Sequence, residues 1–465
     1  MRPTSGIDLA GKRVLVAGLG KSGRSAIRFC QAQGALACLS DSGPATPEAS
    51  AWLEEMGVKY EFDGHRDRFC HAVDLILLSP GVPHDLPVWE RAKAKAIPVL
   101  GELALAPRYL RTPVIAVTGT NGKTTVTTLI GDLLKGAGKE VFVGGNIGTP
   151  LTDYLMTGQT AEWLVLEVSS FQLDAAGDFR PEIGLLLNIS PDHLDRYPSY
   201  EDYALAKFKL FARQRMRDVS IINRDDPDTR RLFTEAKGIR PGWEPRRCLS
   251  FGALRQPGED GAEIRDETVR LTGGWLAGPE EIYDLRGTRL ASSPNRENAA
   301  AALLAARAAG CQAEGLRPGL VDFRPLAHRM TEVAEIGGVR YIDDSKATNI
   351  GAVAAALAAL PGPVVLIAGG RDKGGDYQLL ASQVRAKVKA LLLIGEARER
   401  MATALKGLTR LEALDSLAQA VAKAHELARP GEVVLLSPAC SSFDMFSGYA
   451  ERGELFARLV LGLKA

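Results

Sequence analysis

The sequence predicts an α/β protein of three successive domains, each a mainly parallel sheet with flanking helices. Three observations carry that prediction. Short β-rich apolar runs alternate with helical patterns in three separate stretches, as in parallel sheets covered by helical crossovers. A glycine-bearing loop follows a strand in every one of those stretches, where open α/β sheets bind ligands. The length, 465 residues, exceeds one ordinary domain and fits two to four, three best.

In the first stretch the strands are Val14–Ala17, Leu36–Leu39, Leu75–Leu78 and Ile97–Leu100. A boundary near Gly101 sets domain one at 1–100. The second stretch has Val114–Val117, Val141–Val143, Leu164–Leu166 and Gly184–Leu187, with a helix read over Val126–Leu134. It runs over 101–325 and closes at the polar, proline-bearing Arg317–Pro325. Within it, Arg240–Arg289 weakens into glycine, proline and charge, and predicts only short strands and loops. The third, 326–465, has Val339–Ile342, Val364–Ile367, Ala390–Leu393 and Val433–Leu436, with a helix over Ile350–Leu360. No short-period repeat or long low-complexity segment interrupts the chain.

Composition narrows the function. Apolar content of 46% and charged content of 24% are those of a soluble globular protein. A net charge of +1, with no basic stripe, argues against a nucleic-acid partner. No run approaches the ~18 apolar residues of a membrane span, and Met1–Lys12 lacks a signal peptide's apolar core. Cys30, Cys38, Cys70, Cys248, Cys311 and Cys440 form no CxxC pair and read as reduced thiols rather than disulfides or metal ligands. A cytoplasmic enzyme is expected.

Gly119-Thr120-Asn121-Gly122-Lys123-Thr124-Thr125 is the most informative stretch. A buried strand feeding a glycine turn and a helix N-terminus makes an anion cradle of converging N–H groups, with a lysine to lie along phosphate oxygens. Thr124 offers the hydroxyl that reaches a nucleotide-bound Mg²⁺. Val117 stands where a full Walker A would have its first glycine, yet an ATP site is the reading. Glu167 and His193 follow other strands of the same stretch, and loops at strand C-termini carry function. Because Mg²⁺ prefers oxygen, Glu167 and Thr124 are better ligands than His193. Lys207 reads only as a helix-surface lysine.

Gly18-Leu19-Gly20-Lys21-Ser22-Gly23, with Asp41 closing the next strand, is a GxGxxG. It would suit a nicotinamide dinucleotide, another phosphorylated ligand, or a purely structural turn. Ser79-Pro80-Gly81 ends a further strand of that domain. In the third domain Asp343–Asn349, Gly369–Gly375 and Ser437–Asp444 each follow a strand. Three such loops on one sheet imply a single crevice suited to a small anion such as an amino-acid carboxylate.

Thr118–Thr124, Glu167 with Ser169-Ser170, Asn188–Tyr197, Asp344–Asn349 with His328-Arg329 before it, and the run Ser437–Phe446 together closely resemble the Mur ligase family. The likeness spans all three domains. The glycine loop is shared with folylpolyglutamate synthases; the Asp344–Asn349 and Ser437–Phe446 motifs point to the branch that adds D-glutamate. The DNPR-like motif of the diaminopimelate- or lysine-adding relatives is absent from the sequence.

The resemblance implies a Rossmann-like N-terminal domain, a P-loop-type ATPase central domain and a Rossmann-like C-terminal domain. It implies ATP, UDP-N-acetylmuramoyl-L-alanine and D-glutamate as reactants, an acyl-phosphate intermediate, and two Mg²⁺ sites. Lys123 would hold the β/γ-phosphates, and Thr124 and Glu167 one Mg²⁺. His193 would serve the second Mg²⁺ and the sugar–peptide substrate, and Lys207 would be carbamylated. Asn295, Asn298, Arg329, Asp344 and Lys346 fall to the nucleotide. Gly18, Gly20, Lys21, Ser22, Gly23, Asp41, Ser79, Pro80, Gly81 and Asn146 fall to the UDP substrate, Ser169 and His328 to substrate binding without assignment to a moiety, and Thr348, Lys373, Ser442 and Tyr449 to D-glutamate. A monomer without nucleic-acid or membrane partner is expected. A nicotinamide-dependent dehydrogenase and a non-catalytic nucleotide sensor stay open as alternatives.

Overall fold

The computed structural model describes residues 6–70, 72–194, 196–239, 247–253, 259–276, 278–324 and 327–463. The chain divides into two compact units: Met1–Asn188, Tyr203–Leu285 and Glu297–Val321 form the first, and Ile189–Asp202, Arg286–Arg296 and Asp322–Ala465 the second.

The first unit holds two sheets. One is five-stranded and parallel, with β1 (Arg13–Ala17), β2 (Leu36–Ser40), β3 (Lys59–Glu61), β4 (Leu75–Leu78) and β5 (Val99–Gly101) in the order β3-β2-β1-β4-β5. Residues of β1 serve apolar clusters on both faces: Leu15 and Ala17 pack with Ile76 and Trp89, Val16 with Ile27 and Leu53. Burial on both faces is why these strands read as unbroken apolar runs.

The other is nine-stranded, with β6 (Val114–Thr118), β7 (Val141–Gly145), β8 (Trp163–Glu167), β9 (Ile183–Leu186), β10 (Val219–Asn223), β11 (Arg247–Gly252), β12 (Gly261–Arg265), β13 (Thr268–Thr272) and β14 (Glu281–Asp284). Its order is β14-β13-β12-β11-β10-β9-β6-β8-β7. The weakly patterned 240–289 region supplies the outer strands, where β12, β13 and β14 pair antiparallel; residues 240–246, 254–258 and 277 lie outside the described ones. β10 is a strand that the sequence reading passed over.

The two sheets are joined by polar contacts. Ser25 Oγ lies 2.7 Å from Thr152 Oγ1 and 2.5 Å from Asp153 Oδ1, and Arg28 Nη2 lies 3.1 Å from the same carboxylate oxygen. The buried Glu102 accepts from both the backbone N–H and the hydroxyl of Thr152, at 2.6 and 2.7 Å.

The second unit carries β15 (Thr331–Ile336), β16 (Val339–Asp343), β17 (Val364–Gly369), β18 (Val388–Ile394), β19 (Arg410–Ala413) and β20 (Val433–Leu436), ordered β15-β16-β20-β17-β18-β19. All pairs are parallel except β15 with β16. Apolar clusters cover both faces, with Val353, Leu357 and Leu366 on one and Val421, Phe456 and Ile367 on the other. Among the described residues no helix is long and apolar enough to cross a membrane, and all six cysteines are free.

Candidate active site

Each sheet presents its candidate residues beyond the C-terminal ends of three neighbouring strands. In the nine-stranded sheet these are β9, β6 and β8. The loop after β6 turns at Gly119 (φ +152°) and Gly122 (φ +84°); a side chain at Gly122 would also press on Asn298 Oδ1, 2.6 Å from an added Cβ. Glycine is thus required by both backbone and space. The helix Lys123–Gly136 starts directly at the lysine, three residues earlier than its apolar pattern suggests. Its first N–H groups have no partner within the helix and suit an anion.

Side chains around the loop hold it in place. Asn188, after β9, accepts from Asn121 N–H at 2.8 Å, donates to Asn121 O at 3.1 Å, and takes Thr120 N–H on its own carbonyl at 2.9 Å. Tyr203 OH is 3.0 Å from Thr120 Oγ1. Lys123 Nζ folds onto Gly119 O and Thr120 O, both at 2.9 Å. Lys207 is the surprise. It is only 2% exposed, donates to Gly119 O at 2.9 Å, and stacks its ammonium 4.5 Å from the centre of the Tyr203 ring. A surface lysine is ruled out by that burial. Lys209 points elsewhere, to Asp174 Oδ1 at 2.6 Å, half exposed.

Glu167 ends β8 and is buried. Its Oε2 accepts from Thr124 Oγ1 at 2.7 Å and its Oε1 from Asn146 Nδ2 at 2.8 Å. A hydroxyl and a carboxylate side by side at a phosphate loop are the hard oxygen donors Mg²⁺ takes, and that ion usually needs only one or two protein carboxylates beside phosphates and waters. Among the described residues no group of three His, Cys, Asp or Glu is placed to hold a metal, so the donor set fits a phosphate-bound Mg²⁺ and no all-protein cage. Ser169 caps the helix Ser170–Asp174 in a capping box with Gln172, and Thr125 is buried in the first turn of the loop's helix.

In the five-stranded sheet the strands are β2, β1 and β4. Gly18 has φ +90°, and a Cβ on Gly23 would overlap the Gly18 carbonyl oxygen. Asp41 braces this turn, accepting from Leu19 N–H at 2.6 Å and Gly43 N–H at 2.7 Å. Ser79 Oγ donates to Gly18 O at 3.0 Å. Lys21 opens the helix Lys21–Ala32 and donates to Gly148 O at 2.6 Å; Gly20 is its N-cap, Ser22 lies in its first turn, and Pro80 and Gly81 form the turn after Ser79.

In the second unit the strands are β16, β20 and β17, so the three loops expected to share a crevice do follow adjacent strands. A cavity of about 20 Å³ is lined by Asp192, His193, Thr348, Asn349, Lys373 and Tyr377, among others. Asp192 is its hub: Lys373 Nζ is 3.4 Å from Oδ1, Asn349 Nδ2 3.2 Å and His193 Nε2 3.6 Å from Oδ2. His193 sits at φ +56°. Asp192, Asn349 and, in the first unit, Asn188 and Tyr203 were not singled out from sequence, although Asp192, Asn188 and Asn349 lie inside motifs that were. Ser442 is buried, but neither it nor Tyr449 lines this cavity.

Elsewhere in the second unit, Asp344 accepts from Ser437 Oγ at 2.8 Å and Met330 N–H at 3.3 Å. Burial pushes its carboxyl up to about 7, against the pull of those bonds and of Arg329. His328 Nδ1 is 2.6 Å from Asp343 Oδ2. Lys346 Nζ sits 3.8 Å from the centre of the Tyr449 ring, and Asn295 Nδ2 donates to Arg289 O at 3.2 Å. Arg452, 1% exposed, is held entirely by uncharged oxygens: Ser345 Oγ and O, and the carbonyls of Cys440 and Ser441, at 2.8–3.4 Å. Burial pulls its guanidinium down to about 10.

Comparison with known proteins agrees with this layout. Residues 12–101 match the Mur ligase MurD-like N-terminal domain, 117–306 the Mur ligase middle domain, and 328–440 the Mur ligase glutamate ligase domain. The UDP-N-acetylmuramoylalanine–D-glutamate ligase of Desulfosudis oleivorans is 43% identical over 98% of both chains. That of Desulfotalea psychrophila is 44% identical over 97% of this chain and 96% of its own. Among solved structures, a pseudomurein peptide ligase type C from Methanothermus fervidus superimposes with a TM-score of 0.61 at 17% identity, over 97% of this chain and 100% of its own. The MurF ligase of Thermotoga maritima in complex with ADP gives 0.58 at 19%, over 98% and 96%. At such identities the two structures speak for the fold.

Proposed function

This chain belongs to the Mur ligase family, and we infer that it is the ATP-dependent ligase that adds D-glutamate to UDP-N-acetylmuramoyl-L-alanine in peptidoglycan precursor synthesis. The observation that carries this reading is the full-length similarity to ligases of that name, which runs through all three sheets. We assign the UDP substrate to 1–100, ATP to 101–325 and the amino acid to 326–465, in a cytoplasmic, monomeric enzyme.

The alanyl carboxylate attacks the γ-phosphate, and the resulting acyl phosphate is attacked by the amine of D-glutamate. Negative charge builds on phosphoryl and then carbonyl oxygens, so positioned cations and N–H dipoles are the main catalytic tools. The N–H groups of Gly119–Thr125 cradle the phosphates, and Lys123 leaves its two loop carbonyls for the β/γ-oxygens. Thr124 and Glu167 would hold Mg²⁺, which would supply positive charge against the developing phosphoryl charge.

Lys207, if carbamylated, would offer anionic oxygens suited to a second Mg²⁺. Its burial supports this, because it places the Lys207 nitrogen beside the phosphate loop, 2.9 Å from Gly119 O. His193 would help hold that ion and the sugar–peptide. Asn146 and the Gly18–Gly23, Asp41 and Ser79–Gly81 turns meet the UDP moiety; Ser169 and His328 meet the rest of the UDP substrate. Asn295, Asn298, Arg329, Asp344 and Lys346 meet ATP. Thr348, Lys373, Ser442 and Tyr449 hold D-glutamate, whose carboxylate replaces that of Asp192 on Lys373.

The experiment is phosphate release from ATP with UDP-N-acetylmuramoyl-L-alanine and Mg²⁺, screened against single amino acids. Release with D-glutamate alone is expected. Release with L-lysine or diaminopimelate, or hydride transfer from NADH in place of it, overturns the assignment.

A further inference from the structure

The loop that carries Lys373 is built from glycine. Gly369, Gly370 and Gly374 all lie at positive φ, between +76° and +135°, and a glycine-rich segment loses more conformational freedom on ordering than any other. Something outside the loop must fix it if Lys373 is to wait in place for a carboxylate. Arg400, on the helix Arg398–Ala404, does so. Its Nη1 donates to Asp372 Oδ2 at 2.6 Å, and its Nη2 to Gly375 O at 2.8 Å and Gly374 O at 3.2 Å. The same guanidinium lies 5.4 Å from the centre of the Tyr377 ring.

Asp372 relays that grip. Its other oxygen accepts from Gly374 N–H at 2.9 Å and from Tyr377 OH at 2.9 Å. Tyr377 OH is in turn 3.2 Å from the sulfur of Cys440, in the loop after β20. Residues on both sides of Lys373 are therefore held from behind, while the lysine itself extends into the cavity to Asp192. A planar fork that meets a carboxylate and two carbonyls at once is a geometry that lysine's point charge cannot reproduce.

We propose that Arg400 is a positioning residue for amino-acid binding: through Asp372 and the Gly374–Gly375 carbonyls it pre-orders the Lys373 loop, so that the incoming α-amino dicarboxylate does not have to. This rests on the reading that Lys373 holds the amino acid. A displacement of about 1 Å in a positioned group costs up to about 10²-fold, and ordering costs carried by the free protein are not charged to the ligand.

The test is a kinetic double-mutant cycle on the full-length enzyme, with Arg400→Ala, Lys373→Ala and the pair, and with Arg398→Ala as a control on the same helix. Arg400→Ala should raise KM for D-glutamate about tenfold, leave KM for ATP and for the UDP substrate unchanged, and keep the fold, since the guanidinium is half exposed. Arg400→Lys should recover less than half of the loss. In the Lys373→Ala background Arg400→Ala should add little, because both act on one contact. An unchanged KM for D-glutamate in Arg400→Ala while Lys373→Ala raises it, or full additivity in the pair, overturns the inference alone. An unchanged KM in Lys373→Ala overturns the reading beneath it as well.

Discussion

At the phosphate loop, the groups facing an anion are backbone N–H dipoles at a helix start, with one lysine; the loop's shape is set by two glycines and by Asn188 on its backbone. In the cavity we assign to the amino acid they are side chains, Lys373, Asn349 and Thr348, and a carboxylate of the protein, Asp192, already lies among them. The first arrangement would suit any polyphosphate of suitable spacing, because dipoles and a helix end read charge rather than outline. The second depends on where individual side chains are held, which is what discrimination between amino acids requires. Generality comes from backbone, and selectivity from clamped side chains.

The largest expected effect is on the backbone-built site. Lys123→Ala should remove about 10²–10³-fold of ligation rate with the fold intact, as circular dichroism and thermal melting would register; a variant with more than half of wild-type turnover sinks the assignment. Next comes Lys207→Ala, which should lose most activity and regain part of it with formate or acetate. Lys209→Ala, whose ammonium goes to Asp174, should stay near wild type; if it is the dead variant that acetate rescues, the carbamate belongs elsewhere. Asn188→Ala should raise KM for ATP by about tenfold, the equivalent of one or two hydrogen bonds worth about 0.5–1.5 kcal/mol each, and leave KM for D-glutamate alone. A matching rise in both would erase the contrast between the two regions.

The smallest effect is a pH dependence of stability in the second unit. Burial raises the Asp344 carboxyl from 3.8 to about 7 in the folded state, with Arg329 and Asp343 as its charged neighbours. The folded chain then keeps a proton that the unfolded chain releases. The associated stability is fully present below pH 3.8 and is lost as pH rises through about 7. Asp344→Asn, which preserves the shape, should flatten that component: the difference in melting temperature between variant and parent should shift in the variant's favour from pH 5 to pH 8. A pH-independent difference would mean that Asp344 is not protonated when folded.

The sequence disclosed much of the backbone-built site and less of the other. Gly119, Gly122 and Lys123 are readable because strand, glycine turn and helix are contiguous in the chain. The strands β6, β8 and β17 are readable because two-sided burial gives them unbroken apolar runs. Lys207 was readable only through the family resemblance, since the residues around it, Tyr203 to Phe208, look like any surface helix and only the return of the chain to Gly119, 88 positions away, buries the ammonium. Asp192 was hidden for the same reason, its partners lying 157 and 181 residues on. β10 was missed because Ser220 interrupts Val219–Asn223 and leaves only the pair Ile221–Ile222, too short an apolar run to read as a buried strand.

Arg452 bears on how such an enzyme can be re-engineered. Its charge is neutralised by no carboxylate among its hydrogen-bond partners, only solvated by oxygens of the Ser345 and Cys440–Ser441 loops, and burying a charge in that way costs several kcal/mol unless the surrounding bonds are kept. The arginine and the two loops are therefore a single heritable module. A loop transplanted alone from a relative with another amino-acid preference would arrive with carbonyls aimed differently and strand a guanidinium in the core. Chimeras should be cut so that the final helix, Tyr449–Gly462, travels with the loops it solders together.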